Sequence, residues 1–128
     1  MGDPWSNEEL KASLEVYLEM LEKQQLETPY VKTRYYRDLS EKYGRTEKAF
    51  EYRMQNISFL FSILGREWVK GLPPAKNVGT NVKEKLHELL IEIETGDNKN
   101  QATSTQDIDV NKQNIMANNK NDFLITLL

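Results

Sequence analysis

The chain has 128 residues, of which 38% are hydrophobic and 29% charged, and it contains no cysteine. This length fits one domain, and the lack of cysteine excludes disulfides, thiolate nucleophiles and zinc–thiolate sites. No segment has the ~18 consecutive apolar residues of a membrane helix, and residues 1–9 do not resemble a signal peptide. We therefore expect a cytoplasmic protein with no membrane role.

Charge is distributed unevenly along the sequence. The whole chain carries −3, but residues 1–29 carry −5 (two lysines and seven acids) and residues 30–85 carry +6 (twelve basic residues and six acids). A basic segment of this kind favours contact with nucleic-acid phosphates. Ordinary solvated charge explains it equally well, so the charge alone leaves both interpretations open.

Composition divides the chain near residue 96. Residues 96–128 are dense in Asn, Gln, Asp, Thr and Ser, and such a stretch buries too little apolar area to offset the entropy lost on ordering. We therefore predict an all-α domain over residues 4–95, followed by a tail over 96–128 that is disordered or docked on a partner. The domain is expected to hold a three-helix, helix-turn-helix-like core, an ordered loop rich in Pro and Gly, and a fourth helix.

The first helix has the clearest start signal. Ser6 followed by Glu9 forms a capping box, and Trp5 and Leu10 occupy the two positions of a hydrophobic staple. Apolar residues then recur at the spacing of one helical face. This pattern predicts a helix over residues 7–25.

Two cap signals define the next two helices. Gly44 stands where a C-cap glycine belongs, and Thr46 can cap the helix that follows. They predict helices over residues 31–42 and 47–64. The second of these has one apolar stripe in its first half but further apolar residues on other sides near its end. A helix that is apolar all round is buried all round, so we expect the following segment to cover that end.

The segment 66–79 contains two prolines and two glycines, which predict an ordered loop rather than a helix. Four apolar side chains are expected to pack it down: Trp68, Val69, Leu72 and Val78. A fourth helix is predicted over residues 81–94. Its glutamates at positions 84, 88 and 92 form an exposed row rather than a metal site.

The turn at Gly44 predicts a DNA-binding site. Two short helices joined through a glycine are the layout of a helix-turn-helix. Basic side chains at the start of its second helix would meet phosphate, and polar ones a turn or two later would reach base edges. The candidates around this turn are Arg45, Thr46, Lys48, Tyr52 and Gln55. Cations on the preceding helix would hold the DNA backbone, and these are Lys32, Arg34, Arg37 and Lys42.

Two segments, Trp5–Leu10 and Leu39–Ala49, resemble the tryptophan-led opening and the turn of Myb/SANT-like three-helix domains. Those domains bind DNA or histone tails, so the resemblance implies a three-helix fold with one of these partners. The chain departs from that family because the further core tryptophans are missing. Trp68 lies beyond the third helix.

A second resemblance covers most of residues 5–79. It is carried by the segments Trp5–Leu10, Tyr35–Leu39, Gly44–Thr46, Glu51–Ser58 and Pro74–Gly79. These are similar to a helical module that precedes HNH nuclease domains in bacterial restriction endonucleases, including 5-methylcytosine-specific ones. The resemblance implies a target-recognition role in restriction or phage defence. The conspicuous polar positions that it implies are Arg45, Lys48, Tyr52, Arg53, Gln55 and Asn56.

No pattern in the sequence predicts catalysis. An HNH site needs several metal-binding side chains, but the only histidine is His87, whose apolar neighbours predict an edge-of-core position. We therefore expect a module that is not an enzyme and needs no cofactor. Two functions stay open: binding of double-stranded DNA, and protein interaction without a nucleic-acid role. The second would use the end of the third helix and the apolar segment 123–128, with a partner protein or a second copy.

Overall fold

The computed structural model describes residues 4–101, with side chains described from 4 to 96. Within that range the chain forms four α-helices and no strand, so the all-α prediction is confirmed. The helices are α1 (Asn7–Gln25), α2 (Lys32–Tyr43), α3 (Glu47–Ile63) and α4 (Thr80–Gln101). The predicted starts lie within one residue of those observed because each start depends on local cap signals.

Helix α1 begins with the predicted capping box. The Oγ of Ser6 accepts from the N–H of Glu9 at 3.0 Å, and the Glu9 carboxylate accepts from the N–H of Ser6 at 2.9 Å. At the other end, Glu27 adopts φ +58° and the N–H of Thr28 donates to the carbonyl of Lys23 at 2.8 Å. This is a Schellman-type end with glutamate in the left-handed position that glycine usually takes.

Helices α1, α2 and α3 pack against one another in all three pairs. Each contributes its apolar face to one core. The fully buried large side chains of α1 and α3 include Leu10, Leu14, Tyr17, Phe50, Met54, Ile57 and Phe61. Helix α2 adds Tyr36 and Leu39.

The loop after α3 completes this core. Val69, Leu72 and Val78 are buried, as predicted, and Trp68 is half-buried. A buried polar network holds the loop in place: the Tyr17 hydroxyl lies 2.7 Å from Ser58 Oγ and accepts from the N–H of Val69 at 3.0 Å. Burial raises the pKa of the Tyr17 hydroxyl, which therefore stays protonated.

The expectation that the end of α3 is buried all round is wrong. Leu60 and Phe61 are buried, but Ile63 is 52% exposed and Leu64 is 37% exposed. The loop leaves α3 immediately after these residues and packs toward Tyr17 of α1. It therefore covers one side of the helix end and leaves the other side open.

The chain divides into two units, Met1–Leu90 and Ile91–Leu128, which we describe separately. In the first unit, the N-terminal part of α4 buries Leu86, Leu89 and Leu90. In the second, the helix continues past its predicted end to Gln101, and the hydroxyl of Thr95 donates to the carbonyl of Ile91 at 2.7 Å. The rest of the predicted tail, residues 102–128, lies outside the described residues.

Candidate nucleic-acid interface

Three residues join α2 to α3. Gly44 adopts φ +83°, and its N–H donates to the carbonyl of Ser40 at 2.8 Å. Apart from its immediate chain neighbours, no atom lies within 4 Å of the position that a Cβ would take, so the left-handed backbone rather than crowding selects glycine. Thr46 then caps α3, since its Oγ1 accepts from the N–H of Ala49 at 3.0 Å. Both cap assignments made from the sequence are confirmed.

Arg45 turns away from the start of α3 and binds the start of α1. Its Nε lies 2.9 Å from Oε2 of Glu9 and its Nη2 lies 3.0 Å from Oε1, which makes a two-point ion pair. The same Nη2 donates to the carbonyl of Pro4 at 2.9 Å. The side chains of Arg45 and Glu9 are only 16% and 12% exposed. The bond from Arg45 lowers the pKa of the Glu9 carboxyl below its ordinary value.

Trp5 lies against both arginines of this region. The guanidinium carbons of Arg45 and Arg53 lie 4.3 and 4.5 Å from the centroid of its ring, a range in which cation–π attraction is favourable. The ring also meets Phe50 edge-on, with centroids 5.1 Å apart. Trp5 therefore joins the N-terminus to α3, a contact that the predicted staple with Leu10 did not anticipate.

Arg53 is held inside the chain as well. Its Nη1 donates to Oδ1 of Asn56 at 2.8 Å, and its Nε is buried with no hydrogen-bond partner among the described residues. Burial, and after it the nearby charge of Arg45, lowers the pKa of Arg53. Asn56 is 1% exposed and donates from Nδ2 to the carbonyl of Ala75 at 2.8 Å. Arg45, Arg53 and Asn56 therefore all make polar contacts within the fold.

The remaining candidates on α3 stay accessible. Thr46 and Lys48 are exposed, Tyr52 is 42% exposed and Gln55 is half-buried. Lys48, Tyr52 and Gln55 recur at the spacing of one helical face, opposite the apolar stripe. These three candidates supply one cation, one phenol and one carboxamide over two turns, and the half-buried Glu51 adds a carboxylate beside them.

The candidates on α2 form a second exposed group. Arg34, Arg37 and Lys42 are exposed, and Lys32 is half-buried. The Nζ atoms of Lys32 and Lys42 lie 5.6 and 5.4 Å from the centroids of the Tyr30 and Tyr43 rings. Across residues 4–96, no carboxylate oxygen lies within ion-pair distance of any of these four cations or of Lys48. Their charge is therefore free to meet an external anion.

Acidic residues stand on the same two helices. Asp38 and Glu41 are exposed on α2, and Glu47 is exposed at the start of α3. The +6 counted over residues 30–85 already includes these three acids, so positive and negative side chains are interspersed on α2 and α3. The surface around the turn therefore carries exposed side chains of both signs.

Sequence reasoning missed the segment that lies beside α3. The N–H of Ala75 donates to the carbonyl of Gln55 at 3.0 Å, and the hydroxyl of Tyr52 donates to the carbonyl of Asn77 at 3.2 Å. The apolar residues Leu72 and Val78 predicted that the loop packs onto the domain. They did not indicate that it packs beside α3.

Comparison with protein-family models, with curated proteins and with solved structures gives no match. The resemblances to Myb/SANT-like domains and to restriction-endonuclease modules stay hypotheses that rest on the motifs alone. In the part of the chain that the structure describes, no helix is long and apolar enough to span a membrane. Nor does that part contain a group of three or more His, Cys, Asp or Glu side chains that could hold a metal ion.

Proposed function

We propose that this chain binds double-stranded DNA, with α2 and α3 acting as a helix-turn-helix. The observation that supports this most is the set of free cations around the turn, namely Lys48 at the start of α3 and Arg34, Arg37 and Lys42 on α2. In this arrangement the cations of α2 bind phosphates, and Lys48 lies where the dipole of α3 also favours an anion. Tyr52 and Gln55 then face the base edges of the major groove.

The number of cations without an internal ion pair determines the expected strength of DNA binding and its dependence on salt. Each neutralised phosphate changes the logarithm of the affinity by about 0.9 for each tenfold change in salt. Four phosphate contacts would give a slope of about −3.6 in a plot of log affinity against log salt concentration. This slope is much shallower than that of a strongly basic repressor. We therefore expect binding in the micromolar range that weakens steeply with salt.

The motif resemblance adds a biological role to this proposal. We propose that the chain is the target-recognition part of a restriction or phage-defence system in which another domain or protein carries out catalysis. A duplex that carries 5-methylcytosine is then the preferred ligand to test. Arg45, Arg53 and Asn56, which the resemblance pointed to, take part indirectly by holding α3 and its turn in place.

The test is fluorescence anisotropy of a labelled duplex, with and without 5-methylcytosine, at about 50 and about 200 mM salt. The variant is Arg37→Glu with Lys48→Glu, both at exposed positions. Its matched control is Lys70→Glu with Lys85→Glu, which changes the net charge equally at exposed positions in the loop and on α4. We expect the first pair to lose binding and the control to keep it. Absence of wild-type binding at tens of micromolar protein, or equal loss in both pairs, would contradict the proposal.

A second candidate function is protein interaction or self-assembly. It is favoured by exposed apolar side chains, with Leu26 67%, Val31 58% and Ile63 52% exposed. Scattered exposed apolar residues are common in monomeric proteins, which is why this function stands second. Light scattering of the chain with and without residues 97–128 tests it. A monomer in both forms, together with salt-sensitive DNA binding, would decide for the first proposal.

A further inference from the structure

The segment Ala75–Asn77 runs beside the exposed face of α3 and is fixed there at several points. Its apolar flanks Leu72 and Val78 are 0% and 8% exposed. Between them, Ala75 bonds through its N–H to Gln55 and through its carbonyl to Asn56, and the carbonyl of Asn77 accepts from Tyr52. The backbone of this segment is therefore tied to the middle of α3.

Lys76 is the residue between these two fixed neighbours. Its own carbonyl accepts from the N–H of Val78 at 2.8 Å, which closes a tight turn. Its side chain is exposed, and within the described residues no carboxylate oxygen lies within ion-pair distance of it. The Lys76 ammonium, which has no ion pair within the described residues, is thus carried by a fixed backbone next to Tyr52. Tyr52 lies on the part of α3 that is proposed to contact DNA.

The width of the DNA major groove determines which DNA groups the Lys76 side chain can reach. A helix with its side chains is about 10–12 Å wide, and the major groove is about 12 Å wide. The groove therefore has no room for a second chain segment beside the helix. The face of α3 that carries Lys48, Tyr52 and Gln55 can lie in the groove, but the Ala75–Asn77 segment, which flanks α3 at Asn56, must stay at its edge. The groups exposed at that edge are phosphates.

From this arrangement we propose that Lys76 binds a DNA phosphate at the edge of the groove that α3 enters. The contact surface for DNA is then α3 together with the Ala75–Asn77 segment, rather than α2 and α3 alone. This inference rests on the proposed function. Lysine suits the role because its ammonium is a point charge that binds phosphate without fixed geometry. Its contact adds affinity and register but no sequence preference.

Lys70 provides a matched control within the same loop. It is also exposed, but its N–H donates at 2.8 Å to the side chain of Gln24 on α1, away from α3. The experiment compares Lys76→Ala, Lys76→Arg and Lys70→Ala by anisotropy with a labelled duplex over a range of salt. We expect Lys76→Ala to weaken binding about threefold to tenfold and to reduce the salt slope by about 0.9. Lys76→Arg and Lys70→Ala should keep the wild-type slope.

Each outcome decides a different point. If wild-type protein binds DNA but Lys76→Ala and Lys70→Ala have the same affinity and slope, the assignment of Lys76 is overturned and the proposed function stands. If wild-type protein does not bind the duplex, both proposals fall. If Lys76→Ala weakens binding for one sequence only, Lys76 reads bases rather than phosphate and the inference is overturned. Urea unfolding of each variant checks that the fold is unchanged, as expected for exposed side chains.

Discussion

Two groups of basic side chains lie around the turn at Gly44, and they differ in what they contact. Arg45 and Arg53 bind Glu9, Asn56 and the ring of Trp5. Arg37 and Lys48 are exposed, and among the described residues no carboxylate oxygen lies within ion-pair distance of either. Similar residue types within one stretch of chain therefore differ in whether the fold itself holds their charge.

The net charge of a segment does not show which of its cations are available to a ligand. The +6 over residues 30–85 counts Arg45 and Arg53 equally with Arg37 and Lys48. Yet the charge of Arg45 is balanced by Glu9, which lies outside that segment. Substitution of an internally held arginine is expected to change the stability of the fold, whereas substitution of an exposed cation without an internal ion pair tests the proposed DNA binding. The following predictions separate the two groups.

The largest effect is expected at Trp5, which both held arginines contact. Trp5→Ala removes two cation–π contacts and the edge-on contact with Phe50, and we expect a loss of about 3 kcal/mol in the free energy of unfolding. Urea denaturation measures this loss. Trp5→Phe keeps an aromatic face and should restore about half of it. A cost for Trp5→Ala below about 1 kcal/mol would show that Trp5 does not hold the arginines in solution.

The helices were predictable because their signals are local. Ser6 and Glu9 satisfy each other's backbone within one turn, and the helix that they start runs over Asn7–Gln25, as predicted. Gly44 and Thr46 work in the same way at the turn. Each signal involves residues at most four apart, so the sequence alone contains all the partners.

The partners of the polar site residues could not be predicted, because they lie far away in sequence. Arg45 is 36 residues from Glu9, and Asn56 is 19 residues from Ala75. The motif resemblance implied that Asn56 is a polar site residue, but the Ala75–Asn77 segment covers it. Which side of α3 this segment packs on depends on the buried bond between Tyr17 and Val69 and on the whole core.

The next prediction compares one member of each group directly. Arg45→Ala breaks a largely buried ion pair, and we expect the free energy of unfolding to fall by about 2 kcal/mol. Lys48→Ala removes an exposed side chain and should change it by less than about 0.5 kcal/mol. DNA affinity should show the opposite order when it is measured under conditions in which both variants are folded. A variant of Arg45 that is fully stable but does not bind DNA would contradict the division into two groups.

The smallest effect, and the most selective test of the held group, is a dependence on pH. The Arg45 bond lowers the pKa of Glu9 in the folded chain below the ordinary value of 4.5. The folded state therefore binds this proton less readily than the unfolded state does. The stabilisation from Glu9 is present above about pH 4.5 and is lost as the pH falls through the lowered value.

Glu9→Gln isolates this effect, because glutamine keeps the capping bond to Ser6 but loses the charge. We expect the wild type to be more stable than Glu9→Gln by about 1 kcal/mol at pH 7, and this difference to shrink as the pH is lowered below about 4.5. Glu8→Gln is the matched control, since Glu8 lies beside Glu9 in the first turn but is exposed. It should cost only a few tenths of a kcal/mol through the helix dipole. A difference between wild type and Glu9→Gln that persists unchanged at pH 3 would show that Glu9 stabilises the fold by packing rather than through its charge on Arg45.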